Sequence, residues 1–487
     1  MIRKNLYKAV FFCTLILSLS CSKSEDNIPT NLEVHDFVWK GLNAYYLWQG
    51  NISDLQDRRF NNQNELNSYL SGFATPEILF ESLLNRPEDR FSVIVDDYIA
   101  LENSFQGINL SNGMEFGLVR YRDNPTNIFG YVRYVVPNSS ASTENVTRGM
   151  IFTTVNNMQL TETNFGDLLF GSNTTYTIGL ANYNNGNPIA NGTAITLSKS
   201  QLQENPVAIS KVITDGTQKI GYLLYNQFAA NFDGQLNAAF ANFKGENIND
   251  LIIDLRYNGG GSVNTATYLG GMVTGQFTGQ LYSQQVWNEK VMAANPASIF
   301  LNNFTNEIRN TDANGNVVLQ ESINSLGLTR VYFIVTGSTA SASELVINSL
   351  RSYIDVNLIG TKTVGKQVGS ITLYDSDNNF RRTGGNLNPN HTYAMQPIVF
   401  EISNKDNVNV PLGFAPGTTL PGIQLSENYG NLGILGERSD PLLDRTLIFI
   451  STGAKGFQTQ KSNGSEEIYN SKLATRASND MFVDVIK

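Results

Sequence analysis

The chain has 487 residues, 41% of them hydrophobic and 16% charged, and a formal net charge of −9. That length allows two or three domains and at least one large core. The acidic balance disfavours nucleic acid as a partner, because phosphate binding needs a basic footprint and no basic stripe is present.

The first twenty residues read as a targeting segment. Arg3, Lys4 and Lys8 give a positive start, and Ala9 to Leu17 is an apolar run of signal-peptide length, short for a bilayer span. It ends in Leu17-Ser18-Leu19-Ser20-Cys21, which resembles a bacterial lipoprotein cleavage box, with Ser18 where a large aliphatic residue is usual. The chain has only two cysteines, Cys13 and Cys21. The first would leave with the signal and the second would become the lipidated amino terminus. On that reading there is no disulfide, no cysteine nucleophile and no cysteine-based metal site. Residues 21–33 would form a polar tether that holds a soluble body near a bacterial cell-envelope membrane, periplasmic or at the cell surface. Plain secretion with Cys21 incidental is the alternative.

From residue 34 to about 103 the pattern is helical. Val34, Phe37, Val38 and Leu42 recur at helical spacing, and Ile78, Leu79, Leu83 and Leu84 make a second apolar face before Pro87. From 104 to 207 short strands take over, among them Met114 to Arg120, Gly130 to Val136 and Ala194 to Ser198. Pro137-Asn138-Ser139-Ser140-Ala141, followed by Arg148-Gly149 and a strand ending Val155-Asn156-Asn157, resembles part of a PDZ domain. Asn157 stands where that pattern has Gly, and Asn tolerates the left-handed conformation. A generic β-rich linker domain is the alternative.

From 208 to about 455 strands alternate with helices, which argues a layered α/β core. Ile220 to Leu224, Leu251 to Leu255 and Val331 to Val335 are strands, and Phe228, Phe232, Leu236, Phe240 and Phe243 mark an amphipathic helix whose stripe is core packing. Asp312 to Asn316 reads as a turn between strands, since it lacks the ligand pattern of a calcium loop. Residues 456–487 read as a carboxy-terminal tail. The class is therefore α+β and multidomain.

The chemistry concentrates at a strand-to-helix junction. The strand Val331 to Val335 stops at Thr336-Gly337, and Ala342, Leu345, Val346 and Leu350 then fall near helical spacing. Between them lies Ser338-Thr339-Ala340-Ser341. A serine at that place sits near free backbone N–H groups and the positive end of a helix dipole, which are the parts of an oxyanion hole. The same residues could merely cap the helix. A serine nucleophile needs a base. The two histidines are His35, in the helical region, and His391, in a loop-like run; His391 stays open as a base. A desolvated lysine can also serve, after a shift of roughly three units from about 10.4, or about 4 kcal/mol against the charged form. Lys366, on the Gly365 turn after a strand ending at Gly360, fits that role; Lys362 reads as a surface lysine.

Thr339-Ala340-Ser341-Ala342-Ser343-Glu344 followed by Thr363-Val364-Gly365-Lys366 resembles the signature of the carboxy-terminal processing (tail-specific) serine proteases. The 25-residue interval from 341 to 366 agrees with it, and Thr339 replaces the first serine. Asp254-Leu255-Arg256-Tyr257-Asn258-Gly259-Gly260-Gly261 resembles the family's Asp-Leu-Arg-x-Asn-x-Gly-Gly turn. The resemblance implies a crotonase-like catalytic core with Ser341 as nucleophile and Lys366 as base. It implies an oxyanion hole from the N–H of Gly259 or Gly260 with that of Ala342, Glu344 in support, and no metal or organic cofactor. Some members carry a Gln four residues after the lysine; Ser370 stands there, so either Ser370 orients the amine or only backbone does. Asp440-Pro441-Leu442-Leu443 loosely resembles a closing segment of lipoprotein members. The implied activity is a serine endopeptidase acting on proteins or peptides held by their carboxy-terminal tails in the PDZ-like region. A catalytically inactive peptide-binding lipoprotein of the same fold and a hydrolase of small esters are the other readings.

Overall fold

Alternation of apolar side chains to two covered faces builds the main sheet. In the computed structural model, which describes residues 28–312, 314–453, 467–475 and 478–483, six strands lie in the order Val207–Asp215, Gln218–Tyr225, Asp250–Asp254, Arg330–Val335, Asp355–Gly360 and Gly422–Gln424. The first pair is antiparallel and the other junctions are parallel. Runs such as Leu251-Ile252-Ile253 are apolar at every position because both faces are buried. Ile253, Phe333 and Leu358 enter one large cluster with Val263, Leu269, Leu345 and Val346 of the helices Val263–Val273 and Ala342–Leu350. Ile252, Ile334 and Ile359 face the other way, under Leu442, Leu443 and Leu447 of the helix Pro441–Thr452. The Asp440-Pro441 pair opens that helix: Asp440 caps it by accepting the Leu442 N–H at 3.0 Å, and Pro441 takes the first turn.

The amphipathic helix of the core runs over Asp233–Gly245. Phe228 lies ahead of it, bridged to Gly261. A second sheet has the order Gly261–Ser262, Met481–Phe482, Val368–Ser370, Ile398–Asn404, Leu281–Trp287 and Leu301–Asn303. The turn at Asp312 links the hairpin strands Glu307–Thr311 and Val317–Ser322, with Asp312 Oδ1 accepting the N–H groups of Asn314 and Asn316.

The β-rich region has its own core, including Phe116, Leu118, Ile128, Val132, Phe152 and Ile178. Its strands run in the order Met114–Arg120, Ile128–Val135, Ile151–Val155, Thr175–Asn182 and Ile189–Ser198, with Glu467–Asn470 added on the outer edge of the first. Ser139 caps the short helix Ser140–Thr143, and Asn157 holds the left-handed conformation expected there, with φ of 63°, as does Asn156 before it, with φ of 51°.

The amino-terminal helices Glu33–Tyr45, Gln63–Leu70 and Pro76–Ser82 do not bury a core of their own. Phe37, Val38, Leu42, Leu79 and Phe80 enter the same cluster as the main sheet, and the Leu47 N–H donates to Ile398 O at 2.9 Å. The next helix is Tyr98–Phe105. The leader with Cys13 and Cys21 lies outside the described residues. Among the described residues no helix is long and apolar enough to cross a membrane. Two stretches of the expected tail are strands that pair with the body of the fold, Glu467–Asn470 and Met481–Phe482.

A fully buried guanidinium fastens the Asp254 turn to the last helix. Arg256 Nε donates to Asp254 Oδ1 at 2.9 Å, its Nη2 lies 2.7 Å from Asp440 Oδ2, and its Nη1 donates to Glu427 Oε1 at 3.2 Å. Removing one member of such a set leaves the others charged and dry. Arg256→Met is therefore expected to cost about 3–5 kcal/mol. Urea or thermal melting followed by circular dichroism checks this; an unchanged midpoint would show the network to be dispensable.

Candidate active site

Three loops meet beyond the carboxyl ends of adjacent parallel strands, the usual place for a site in such sheets. The loop 255–261 leaves Asp250–Asp254, the loop 336–341 leaves Arg330–Val335, and the loop 361–367 leaves Asp355–Gly360. Backbone hydrogen bonds lock them together. Ala340 N–H donates to Asn258 O at 3.1 Å, and Val364 N–H to Thr339 O at 3.0 Å.

Three hydroxyls alternate at positions 339, 341 and 343, across the end of the second loop and the start of its helix, and two are spent on structure. Thr339 Oγ1 donates to Leu255 O at 2.8 Å, and Ser343 Oγ to Asn258 O at 3.1 Å. The middle one, Ser341 Oγ, is fully buried and has no hydrogen-bond partner among the described residues. Ser341 holds the cap position of the helix Ala342–Leu350 in a capping-box arrangement, its N–H donating to the Glu344 side chain, while no hydrogen bond of normal geometry reaches its hydroxyl. Its φ is 64°, a left-handed conformation that an L-residue keeps only when its surroundings enforce it.

Free donors flank that hydroxyl. The N–H groups of Ala342 and Gly259 have no acceptor among the described residues, whereas the Gly260 N–H donates to Asn258 Oδ1 at 2.9 Å. Of the two glycines offered by the sequence, Gly259 is the one with its N–H available. Gly260 contributes space instead. Its φ is 116°, and a Cβ there would lie 2.6 Å from Ser341 Cβ and 2.8 Å from Ser341 Oγ. Only glycine fits beside the serine.

Lys366 is buried, 2% exposed, while Lys362 is on the surface as expected. The amine lies 4.8 Å above the Phe91 ring, and no hydrogen bond joins it to Ser341 Oγ. It donates instead to Asp480 Oδ1 at 3.3 Å. Burial lowers the lysine below its ordinary value, and the Asp480 carboxylate pulls against that shift. Ser370 reaches the amine only indirectly, because its Oγ donates to Asp480 Oδ1 at 2.8 Å. Asp480 is the residue that sequence reasoning missed. The signal available for it was the apolar run Met481-Phe482-Val483 in an otherwise polar tail.

Glu344 joins the serine and lysine loops. Its carboxylate accepts the N–H of Ser341 at 2.9 Å, of Gly365 at 2.7 Å and of Lys366 at 2.8 Å, and the Thr363 hydroxyl as well. Burial pushes this carboxyl up from its ordinary value, and the four donors oppose that. His391 is committed elsewhere: Nε2 lies 2.9 Å from Asp375 Oδ2 and the ring packs near Phe37. His35 is buried in the first helix, where burial lowers its pKa from the ordinary histidine value.

Comparison with known proteins bears on this arrangement. Residues 219–384 match the family described as Peptidase family S41, and residues 33–93 match the Peptidase S41 N-terminal domain. A curated relative from Staphylococcus epidermidis, named "Probable CtpA-like serine protease", is 24% identical over 197 residues, 38% of this chain. The match spans only 35% of that relative's length. A solved S41 protease structure from Bacteroides fragilis is 24% identical, covers 86% of this chain and 97% of its own, and superposes with a TM-score of 0.64, a likeness of fold. The photosystem II D1 C-terminal processing protease covers 82% of this chain and 94% of its own at 15% identity, with a TM-score of 0.47.

Replacing Glu344 by Gln trades one acceptor oxygen for a donor, so one or more of the four donors loses its partner. The loss is expected to be about 1–3 kcal/mol, read from the melting midpoint. A neutral effect would mean that the carboxylate does not hold the two loops.

Proposed function

From the premise that the chain belongs to the carboxy-terminal processing family of serine peptidases, we propose that it is an endopeptidase with Ser341 as nucleophile and Lys366 as general base. One observation carries the assignment: Ser341 Oγ is the single unpaired hydroxyl of its loop, at a helix head, in a buried site shared with an amine that burial pushes toward neutrality. Neutral Lys366 takes the Ser341 proton as Oγ bonds to the peptide carbonyl carbon. The oxygen of the tetrahedral intermediate carries the charge, facing the N–H groups of Gly259 and Ala342. The C–N bond then breaks, and the Lys366 ammonium gives its proton to the leaving amine. Water attacks the acyl ester, Lys366 accepts its proton, and that proton returns to Ser341 Oγ as the carboxylic acid leaves. Glu344 positions both residues through their backbones.

Proteins or peptides are the substrate class of the family. We assign the finer preference, for a free carboxy-terminal tail, to the PDZ-like region 104–207, where such a tail would bind by strand addition. The acceptance of Glu467–Asn470 on the edge of Met114–Arg120 supports that mode. The basic, apolar leader ending at Cys21 supports a lipid-anchored enzyme exported to the bacterial cell envelope.

Ser341→Ala is expected to abolish cleavage of a peptide with an apolar carboxy terminus. Lys366→Ala is expected to lower it by about 10²–10⁴-fold. Labelling by a fluorophosphonate should rise with pH, because the reactive lysine is the deprotonated form, and should level off below the ordinary lysine value of 10.5. Equal labelling of wild type and Lys366→Ala at every pH would refute the base, and equal turnover by Ser341→Ala would refute the nucleophile. Amidating the peptide's carboxy terminus should slow cleavage; an indifferent enzyme does not read the tail.

A further inference from the structure

The described carboxy-terminal stretches 467–475 and 478–483 follow the path that an extended peptide would need to reach Ser341. Glu467–Asn470 adds antiparallel to the edge of Met114–Arg120, pairing Tyr469 with Leu118. Glu467 forms an ion pair with the buried Arg133 and accepts the Tyr131 hydroxyl. Asn470, Lys472 and Asn479 then line a cavity of about 130 Å³ whose other walls include Gly259, Gly260 and Ser338. At its far end Met481–Phe482 lies parallel to Gly261–Ser262 on one side and to Ser370 on the other. Those neighbours directly follow the glycine loop and the lysine loop. Met481 is fully buried, and Phe482 packs on Phe105 with ring centroids 4.3 Å apart.

At the site itself the segment occupies both halves of the chemistry. A Cβ at Gly259 would meet Asn479 Oδ1 at 2.9 Å, and one at Gly260 would meet the Asp480 carbonyl oxygen at 2.7 Å, as close as Ser341 Oγ. The Asp480 carboxylate holds the lysine amine. An anion there favours the ammonium, which cannot accept the serine proton. Asn479 has a φ of 51°, so the backbone kinks at the glycines and does not run straight through the nucleophile. That favours an occupant that blocks over one that is cut.

We infer that this carboxy-terminal segment is a tethered occupant of the substrate cleft, seated on the sheet edge and between the two catalytic loops, which holds the enzyme in a resting state until a substrate chain displaces it. The inference rests on the peptidase reading and adds its regulation.

The test uses the full-length chain in two ways. In the first, Met481→Asp/Phe482→Asp expels the anchor strand. Fluorophosphonate labelling of Ser341 is expected to become at least tenfold faster, and a synthetic peptide of the 467–483 sequence to slow it again. A folded variant that labels at the wild-type rate or more slowly overturns the inference. In the second, wild type is compared before and after stoichiometric phosphonylation of Ser341, verified by mass. Deuterium uptake across 467–483 is expected to rise severalfold after labelling, since the adduct needs the space beside Gly259 and Gly260. Unchanged protection overturns the inference and marks the segment as a fixed part of the sheet. This second measurement needs no destabilised variant. Failure of the peptidase reading shows differently, as no Ser341-dependent labelling in wild type and released variant alike, and it removes the inference as well.

Discussion

The site depends on one buried carboxylate. Glu344 sits in the first turn of the helix that Ser341 heads, and its two oxygens collect donors from both that helix and the lysine loop. Without it, the loops 336–341 and 361–367 would be joined mainly by the Val364-to-Thr339 backbone bond. The carboxylate also forms the Glu344 half of a capping box at the start of this helix. Its Oε2 takes the Ser341 N–H while the hydroxyl stays unpaired. An unpaired buried hydroxyl and a left-handed backbone are both unfavourable, and they persist at Ser341 because the surrounding bonds leave no alternative.

The parallel sheet converts these local features into a shared place. Adjacent strands deliver the glycine turn, the serine and the lysine to one edge, so residues distant in sequence need only short loops to meet. Arg256 secures the first of these turns from below, bound to Asp254 and to the cap of the helix Pro441–Thr452. Each apolar face of the sheet is covered by a helix whose amino terminus is tied to these loops, one headed by Ser341 and one by Asp440.

What the sequence revealed followed from locality. Ser341, Lys366 and the Asp254–Gly261 turn each lie where a strand pattern breaks, and a break in periodicity is visible in one dimension. The left-handed Asn157 and the hairpin turn at Asp312 were legible for the same reason. Availability of a donor is not local. Gly259 and Gly260 look alike in the sequence, and only the folded position of the Asn258 side chain separates them. The packing of the amino-terminal helices into the main cluster was also hidden, since an amphipathic stripe does not name its partner. Asp480 was the largest omission. It acts across 114 residues, from a segment whose two short strands become strands only by pairing with edges made elsewhere.

Arg133 joins the outer edge of the β-rich sheet to the loops around Ser341. It is buried in the β-rich region, stacks over Tyr257 at 4.7 Å, donates to Ser338 Oγ at 2.8 Å and pairs with Glu467 of the added strand. Ser338 belongs to the loop that carries Ser341, and Tyr257 to the glycine loop. A guanidinium in that position is sensitive to whether a carboxylate lies on the sheet edge, because a buried cation without a partner is costly. A strand that replaces 467–470 and brings no acid would leave Arg133 with Ser338, Tyr131 and the Tyr257 ring, and no carboxylate among them. The loop before Ser341 is thus tied through Arg133 to the Glu467–Asn470 strand on the edge. One side chain, that of Arg133, spans from the edge strand Glu467–Asn470 to Ser338 in the loop that carries Ser341.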